Sequence, residues 1–226
     1  AGAGSLRAAI EGANSSSDAN NLITFSVAGT ISLISALPVI GNSVSIDATT
    51  APGFDGAALV PVPMVTVDFN GAAGLVFGVG AQGSSLSGMA LGDASDYGVT
   101  LNGSGITLTQ NYIGLAGDGT ALGNQMGGIL ISPTAAGNVI GTNASGVEGT
   151  ISNVISANLG NGITINGGSG HTVAANRIGV SPDGTVDQGN AGHGIVLTGA
   201  TSNNTIGGTV FVDAANGDVN DPTGDK

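Results

Sequence analysis

The chain has no cysteine, no tryptophan and only three lysine and arginine residues. The missing thiols exclude disulfides, cysteine nucleophiles and thiolate metal sites. Three cations against 15 acidic residues give a net charge of −12. This charge argues against nucleic acid and anionic lipid as partners, because both are bound through clustered Lys and Arg. No apolar run approaches the ~20 residues that a membrane-spanning helix needs, so we expect no membrane insertion.

Glycine and aliphatic residues are abundant instead. Of 226 residues, 42 are Gly, and 41% are hydrophobic, mainly Val, Ile, Leu and Ala. A chain of this length and composition can bury one substantial core, which excludes an intrinsically disordered segment. Aromatic residues make up 3%, so the chain is poorly equipped to bind sugars by ring stacking.

The N-terminus carries the single helical pattern. In "SLRAAIEGA" (residues 5–13), Ser5 is a candidate N-cap, and apolar residues recur at the spacing of one helix face. We therefore predict an N-terminal capping helix and lead-in over residues 1–21. The following segments are short, β-branched and separated by Gly, Asn, Asp and Ser, which is typical of strands.

Three strand types recur in fixed order. The first type reads NxIG and the second reads GIxI. In the third type, an aliphatic residue lies five positions before the aliphatic residue of the next NxIG unit. Coils begin at Met89, Asn111, Asn153 and Asn176, which gives steps of 22, 42 and 23 residues. Such a repeat predicts an all-β, right-handed parallel β-helix over residues 22–210, with three strands per coil and about six coils.

Strand alternation assigns side chains to the outside of this helix. We expect Tyr112, Val154 and Arg177 to point outward from the first strand type. The candidate partner surface comprises six residues: Thr100, Leu130, Thr164, Val196, Tyr112 and Arg177. In the same frame Asn111, Asn153 and Asn176 fall in one column, which predicts an Asn ladder.

An acidic corner follows the first strand type. Two near copies, "NYIGLAGDGTALGN" from Asn111 and "NRIGVSPDGTVDQGN" from Asn176, each contain Asp-Gly-Thr. The candidate calcium ligands of this corner are Asp93, Asp96, Asp118, Asp183 and Asp187. Asp-Gly sequences also form turns, and both interpretations stay open. Asp118 and Asp183 are expected to lie two coils apart, roughly 10 Å, too far to share one ion. His171 and His193 have no second ligand at metal spacing and are interpreted as corner residues.

Longer stretches resemble a known family. "GSLRAAIEGAN" and "TISLISALPVIGNSVSIDATTAPGF" resemble the N-terminal module of bacterial right-handed parallel β-helix repeat surface proteins, in which a CSLREA-like helix precedes such a stretch. The later NYIG, GGILI, NVIG and NVISAN motifs are similar to that family's repeats. The resemblance implies a secreted or cell-surface, often adhesin-like module of a larger protein, with residues 211–226 as an acidic linker. Gly4 stands at the family's Cys position, so a Cys-dependent role is absent.

Catalysis is poorly supported by the residues. A glycosidase needs two carboxylates facing one groove, and uronate elimination needs a base plus cations. Between Arg7 and Lys226 the one cation is Arg177, and none of the assigned outward positions carries a carboxylate. We therefore assign no catalytic residue and expect a non-enzymatic structural or adhesive rod, which makes cell-surface or self contacts and requires no cofactor, calcium being optional. The alternative is a β-helix that binds or processes polysaccharide, as a lyase, epimerase or glycosidase.

Overall fold

The computed structural model describes residues 4–142 and 153–207. It contains a helix, α1 (Leu6–Ser15), and a short 3₁₀ turn at Ala48–Thr50. In chain order the first nine strands are β1 (Asn21–Thr24), β2 (Gly29–Ser32), β3 (Val44–Asp47), β4 (Val65–Asp68), β5 (Leu75–Phe77), β6 (Ser85–Ser87), β7 (Met89–Gly92), β8 (Tyr97–Leu101) and β9 (Thr107–Thr109). The remaining strands are β10 (Tyr112–Ile113), β11 (Gly127–Ile131), β12 (Val139–Gly141), β13 (Asn153–Ile155), β14 (Asn161–Ser169), β15 (Thr172–Ala174), β16 (Asn176–Ile178), β17 (Ile195–Ser202) and β18 (Thr205–Ile206).

These strands form three parallel sheets, one for each strand type. Sheet 1 has six strands in the order β2, β4, β7, β10, β13, β16, and sheet 2 has five in the order β5, β8, β11, β14, β17. Sheet 3 has seven in the order β1, β3, β6, β9, β12, β15, β18. Each strand pairs with its equivalent one coil away. The predicted parallel β-helix with three strands per coil and about six coils is confirmed.

The register reproduces the predicted coil lengths. Tyr112 pairs with Ala90 on one side and Val154 on the other, and Val154 pairs with Arg177. These pairings correspond to the steps of 22, 42 and 23 residues that the repeat predicts. Part of the long step is a hairpin after β10, and part is residues 143–152, which lie outside the described ranges.

Aliphatic columns form the core of the β-helix. In sheet 3, Ile46, Leu86, Leu108, Ile140 and Val173 stack in one continuous register, and each is at most 2% exposed. Equivalent columns from sheets 1 and 2 meet them from the other sides. Fully burying one such side chain contributes about 1.5–3 kcal/mol, so the repeated columns are the main source of stability.

Buried asparagines form ladders at the corners between the sheets. Asn111 Nδ2 donates to Asn153 Oδ1 at 3.2 Å, and Asn153 Nδ2 donates to Asn176 Oδ1 at 2.8 Å. The predicted Asn ladder is confirmed. A second ladder of the same kind joins Asn124, Asn158 and Asn190. Because each amide bonds to its equivalent in the next coil, the corners stay in register.

The N-terminal helix caps the first coil, as predicted. Ser5 Oγ accepts a hydrogen bond from the Ala8 amide, and Leu6 and Ile10 are buried against the core. At the other end, Asn14 Nδ2 donates to the Val39 carbonyl and Asn14 Oδ1 accepts from the Gly41 amide. The Asn14 side chain thereby satisfies main-chain groups that no earlier coil pairs. The predicted linker 211–226 lies outside the described part of the chain.

Candidate functional surfaces

The two near copies in the sequence fold as the same small hairpin. We call residues 114–124 the first hairpin and residues 179–190 the second hairpin. Each is closed by one antiparallel bridge, Leu115–Ala121 in the first and Val180–Asp187 in the second. In each, the Asp-Gly-Thr forms the tip, so the repeated motif is a repeated connection between sheet 1 and sheet 2.

The tip carboxylates are engaged within their own turns. Asp118 Oδ1 accepts from the Thr120 amide at 3.0 Å and the Thr120 hydroxyl at 2.6 Å, and these bonds lower the pKa of Asp118. Asp183 Oδ1 accepts from the Ser181 hydroxyl and the Thr185 amide. The Ser181 bond, followed by those from Thr185, lowers the pKa of Asp183 to about 2. Both carboxylates therefore stabilise turns.

The other three candidate calcium ligands lie at corners of the β-helix, where Asp187 bonds within its own turn and Asp96 bonds to the preceding coil. Asp96 Oδ1 accepts from the Gly74 amide at 2.8 Å, and Asp187 Oδ1 accepts from the Gly189 amide at 2.9 Å. Asp93 adopts a left-handed backbone at the corner after β7, with a φ of 58°. Across residues 4–142 and 153–207, no three His, Cys, Asp or Glu side chains are grouped to hold a metal ion. These contacts favour the turn interpretation, and calcium binding stays the alternative prediction.

The two hairpins contact each other although their parent strands, β10 and β16, lie two coils apart in sheet 1, as predicted. Gln188 Nε2 donates to the Gly119 carbonyl at 3.0 Å, and a β-carbon at Gly119 would lie 3.4 Å from Pro182. The coil between them has no insertion at this corner, and its Ala157 amide donates to the Gln188 carbonyl at 2.8 Å. Because the intervening corner is short, the hairpins on either side meet over it.

The first hairpin covers the outer face of sheet 1. Leu115 packs with Ala90, Tyr112 and Val154 in a second apolar cluster outside the main core. Tyr112 is 2% exposed, so its assignment to the partner surface is wrong. Alternation placed its side chain on the correct side of the strand, but the hairpin lies over it. Burial raises the pKa of Tyr112 to about 12, an effect that the positive charge of Arg177 partly offsets.

Arg177 lies on the same outer face, one coil beyond Val154. Its guanidinium donates to the Pro182 carbonyl in the second hairpin, and Gly184 packs against it. Arg177 is half-buried. The hairpin therefore holds this cation close to the sheet, so Arg177 is not presented to an open groove.

The outer face of sheet 2 carries the rest of the predicted partner surface. Thr100, Leu130, Thr164 and Val196 pair in one register, and we call them the sheet 2 column. Thr100, Leu130 and Val196 are partly exposed. Thr164 is 9% exposed, and its hydroxyl accepts from Asn161 Nδ2 at 3.2 Å. The column is thus a shallow, uncharged surface along the rod.

Sequence reasoning missed the outer face of sheet 3. The predicted partner surface lies on the first two strand types alone. In sheet 3 the outward residues are largely hydroxyl-bearing, and we call the following set the hydroxyl face: Ser45, Ser85, Ser87, Thr107, Thr109, Thr172 and Thr205. The alternation of Ser85-Leu86-Ser87 and Thr107-Leu108-Thr109 was the available signal.

His171 belongs to a third corner ladder, which agrees with its interpretation as a corner residue. Its Nδ1 accepts from the Asn138 amide at 3.1 Å, and its own amide donates to Asn204 Oδ1 at 2.9 Å. His171 is fully buried, and burial lowers the pKa of its imidazole. The side chain therefore acts as a neutral hydrogen-bond acceptor in a place that Asn occupies in neighbouring coils.

Comparison with known proteins gives no matching family model, no similar curated protein and no similar solved structure. No helix in the described ranges is long and apolar enough to cross a membrane. Function is therefore inferred from the surfaces of the chain itself.

Proposed function

We propose that the chain is a non-enzymatic structural and adhesive module of a secreted or cell-surface bacterial protein. In this proposal it is a rigid rod, and the sheet 2 column makes contacts between copies of the chain. The observation that carries the proposal is the column itself. Thr100, Leu130 and Val196 form an uncharged, partly exposed line on a molecule whose net charge is −12.

Uncharged columns suit a stacked rod. Equivalent residues in successive coils are about 4.8 Å apart, the spacing of paired strands. Two like charges at that distance repel by about 1 kcal/mol even in water. A column without charges avoids this repulsion within the rod. It also avoids repulsion when the same column of a second rod approaches.

Self contact through this column is geometrically simple. Two copies related by a two-fold axis would bring the same surface together, so each residue meets a matching surface. Leu130 and Val196 supply apolar area, with Thr100 beside Leu130 and Thr164 between the two. The contact of one pair is small, and many rods on one surface would add their contacts.

Among the described residues, the charged groups near sheet 1 give little support to the alternative of a polysaccharide-processing enzyme. Asp118 and Asp183 accept hydrogen bonds inside their own turns, and Arg177 donates to a main-chain carbonyl. A β-helix lyase would instead direct a base and cations to one groove. Incubation with polygalacturonate is expected to release no unsaturated product, and release by the purified chain would favour the enzyme.

Sedimentation velocity over a concentration series tests the self contact. We expect the wild-type sedimentation coefficient to rise with concentration and Leu130→Lys to remain monomeric. Val139→Lys is the matched control, because Val139 is a half-exposed aliphatic residue on the outer face of sheet 3. It should associate like the wild type. A monomeric wild type, or equal loss in both variants, would refute the sheet 2 column as the contact surface.

A further inference from the structure

We propose that the hydroxyl face of sheet 3 binds an uncharged polysaccharide that lies extended along the rod. This goes beyond the proposed self contact, because it assigns a second surface with a different occupant. It shares with the proposed function the idea of an adhesive rod, and the two surfaces can be altered independently.

The first support is the regular placement of the hydroxyl groups. Ser45, Ser85 and Thr107 pair directly in successive strands, and Thr172 pairs with Thr205 further along the same column. Strand pairing sets neighbours about 4.8 Å apart along the rod. A second column, two residues on, contains Ser87 and Thr109 and lies roughly 6.7 Å away. Hydroxyl donors and acceptors therefore recur along the rod, in two adjacent columns at β6 and β9, which suits a polymer that lies along the rod.

The second support is the hydrogen bonding of these hydroxyls. At the N-terminal end Ser45 Oγ bonds Ser85 Oγ at 2.7 Å, and Ser87 Oγ donates to Asp47 Oδ1 at 3.1 Å. The hydroxyl face contains four threonines: Thr107, Thr109, Thr172 and Thr205. Their hydroxyls make no hydrogen bond to other residues of the described ranges. Thr107, Thr109 and Thr172 are half-exposed and Thr205 is exposed, so their hydroxyls can donate to a ligand and accept from it.

The third support is charge. The outward columns of sheet 3 contain one carboxylate, Asp47, and no Lys or Arg among the described strands. Since the chain carries a net charge of −12, an anionic polymer would be repelled and would find no cation on this face. A neutral polymer meets neither obstacle. No aromatic ring lies on the two columns, so recognition would be by hydrogen bonds, with modest affinity at each sugar and additive gain along the rod.

The other two outer faces fit this ligand less well. The first hairpin covers much of sheet 1, and the sheet 2 column contains Leu130 and Val196. The hydroxyl face spans six strands, from β3 to β18, and is about 24 Å long, enough for several sugar units; on β1 the outward residue is Leu22. Along the first column, Val139 interrupts the series of hydroxyls between Thr107 and Thr172.

Depletion from solution by polysaccharide particles tests the inference. Cellulose and chitin particles are the neutral probes, and polygalacturonate-coated particles are the charged probe. The triple variant Thr107→Val, Thr109→Val, Thr172→Val removes three hydroxyls while keeping β-branched side chains. We expect binding of the wild type to at least one neutral probe, at least ten-fold weaker binding of the triple variant, and no binding to polygalacturonate.

The matched control is the double variant Thr30→Val, Thr198→Val, which makes the same chemical change on exposed threonines of sheets 1 and 2, outside the sheet 2 column. It should bind the neutral probe like the wild type. Circular dichroism melting verifies that both variants fold, and Thr107→Ser with Thr172→Ser should retain binding because both hydroxyls remain. The inference is overturned if the wild type binds neither cellulose nor chitin. It is also overturned if the control variant loses as much binding as the triple variant. Ice-recrystallisation inhibition that the triple variant loses overturns it too, because that result would assign the face to ordered water. Sedimentation of Leu130→Lys reports on the self contact separately.

Discussion

Asn153 Oδ1 accepts two hydrogen bonds from one residue, from the main-chain amide of Asn111 at 3.0 Å and from Asn111 Nδ2 at 3.2 Å. Asn153 Nδ2 in turn donates to the Leu108 carbonyl and to Asn176 Oδ1. Asn111 and Asn153 are both at most 1% exposed. A single side chain thereby serves main-chain and side-chain groups of three coils, in a place that water does not reach.

Replacing Asn153 by Leu should strongly destabilise the chain. Leu has a similar volume but leaves the buried Asn111 amide and the Leu108 carbonyl without partners, at a cost of about 1–3 kcal/mol for each group. We expect a loss of about 3–5 kcal/mol in the free energy of unfolding, measured by urea denaturation. Exposed Asn20 provides the control, and Asn20→Ala should change this value by less than about 0.5 kcal/mol. Equal effects at the two positions would show that the ladder contributes nothing.

His171 should make stability depend on pH. Burial lowers the pKa of its imidazole in the folded chain, while the unfolded chain has a value near 6.5. Between the lowered folded pKa and about 6.5 the unfolded state binds more protons, so the free energy of unfolding rises with pH in this window. The contribution of His171 is complete above about 6.5 and is lost as pH falls towards the folded pKa.

Unfolding free energies at pH 5 and pH 7.5 measure this contribution. We expect His171→Asn to reduce the difference between the two values, because the amide carbonyl can accept the Asn138 hydrogen bond at either pH. His193 is exposed, so His193→Asn should leave the difference as in the wild type. An unchanged pH dependence in His171→Asn would contradict the neutral, buried role of the imidazole.

Tyr112→Phe should not destabilise the chain. The phenolic oxygen of Tyr112 is buried and has no hydrogen-bond partner among the described residues. Removing it relieves a desolvated hydroxyl, so we expect the free energy of unfolding to stay the same or to rise by about 1 kcal/mol. Differential scanning calorimetry of the two proteins measures the change. A loss of 1 kcal/mol or more would mean that the hydroxyl is bonded in the folded chain.

Added calcium should leave the melting temperature unchanged. The carboxylates of Asp118 and Asp183 already accept hydrogen bonds from their own turns, and calcium would have to replace these donors. Melting is followed by circular dichroism with excess calcium chloride and with a chelator. A rise of several degrees in calcium that Asp118→Asn and Asp183→Asn abolish would establish a metal site at the hairpin tips.

The repeat in the sequence was sufficient to predict the coils. The spacing of Leu86, Leu108 and Val173 relative to the following NxIG units reports directly on the sheet 3 core, because one residue per coil must fill each position. Asn111 and Asn153 were predictable for the same reason. A period in the sequence becomes a column in a stacked fold.

Coverage of the surface was not predictable in this way. Alternation tells on which side of a strand Tyr112 lies, but it does not say whether an inserted loop folds over it. The contact of Gln188 with Gly119 joins coils that are not adjacent, and it depends on how far each hairpin leans. The outer face of sheet 3 is predictable from the alternation of Ser85-Leu86-Ser87 and Thr107-Leu108-Thr109, since its hydroxyls flank buried leucines.

Rupture between two trapped beads, each coated with the chain, tests the central proposal of an adhesive rod most directly. The measured quantity is the fraction of bead contacts that end in a rupture event. The proposal predicts frequent events for the wild type and for Val139→Lys, and a drop to the level of uncoated beads for Leu130→Lys. Wild-type beads that separate like uncoated beads, or Leu130→Lys beads that adhere like the wild type, would contradict it.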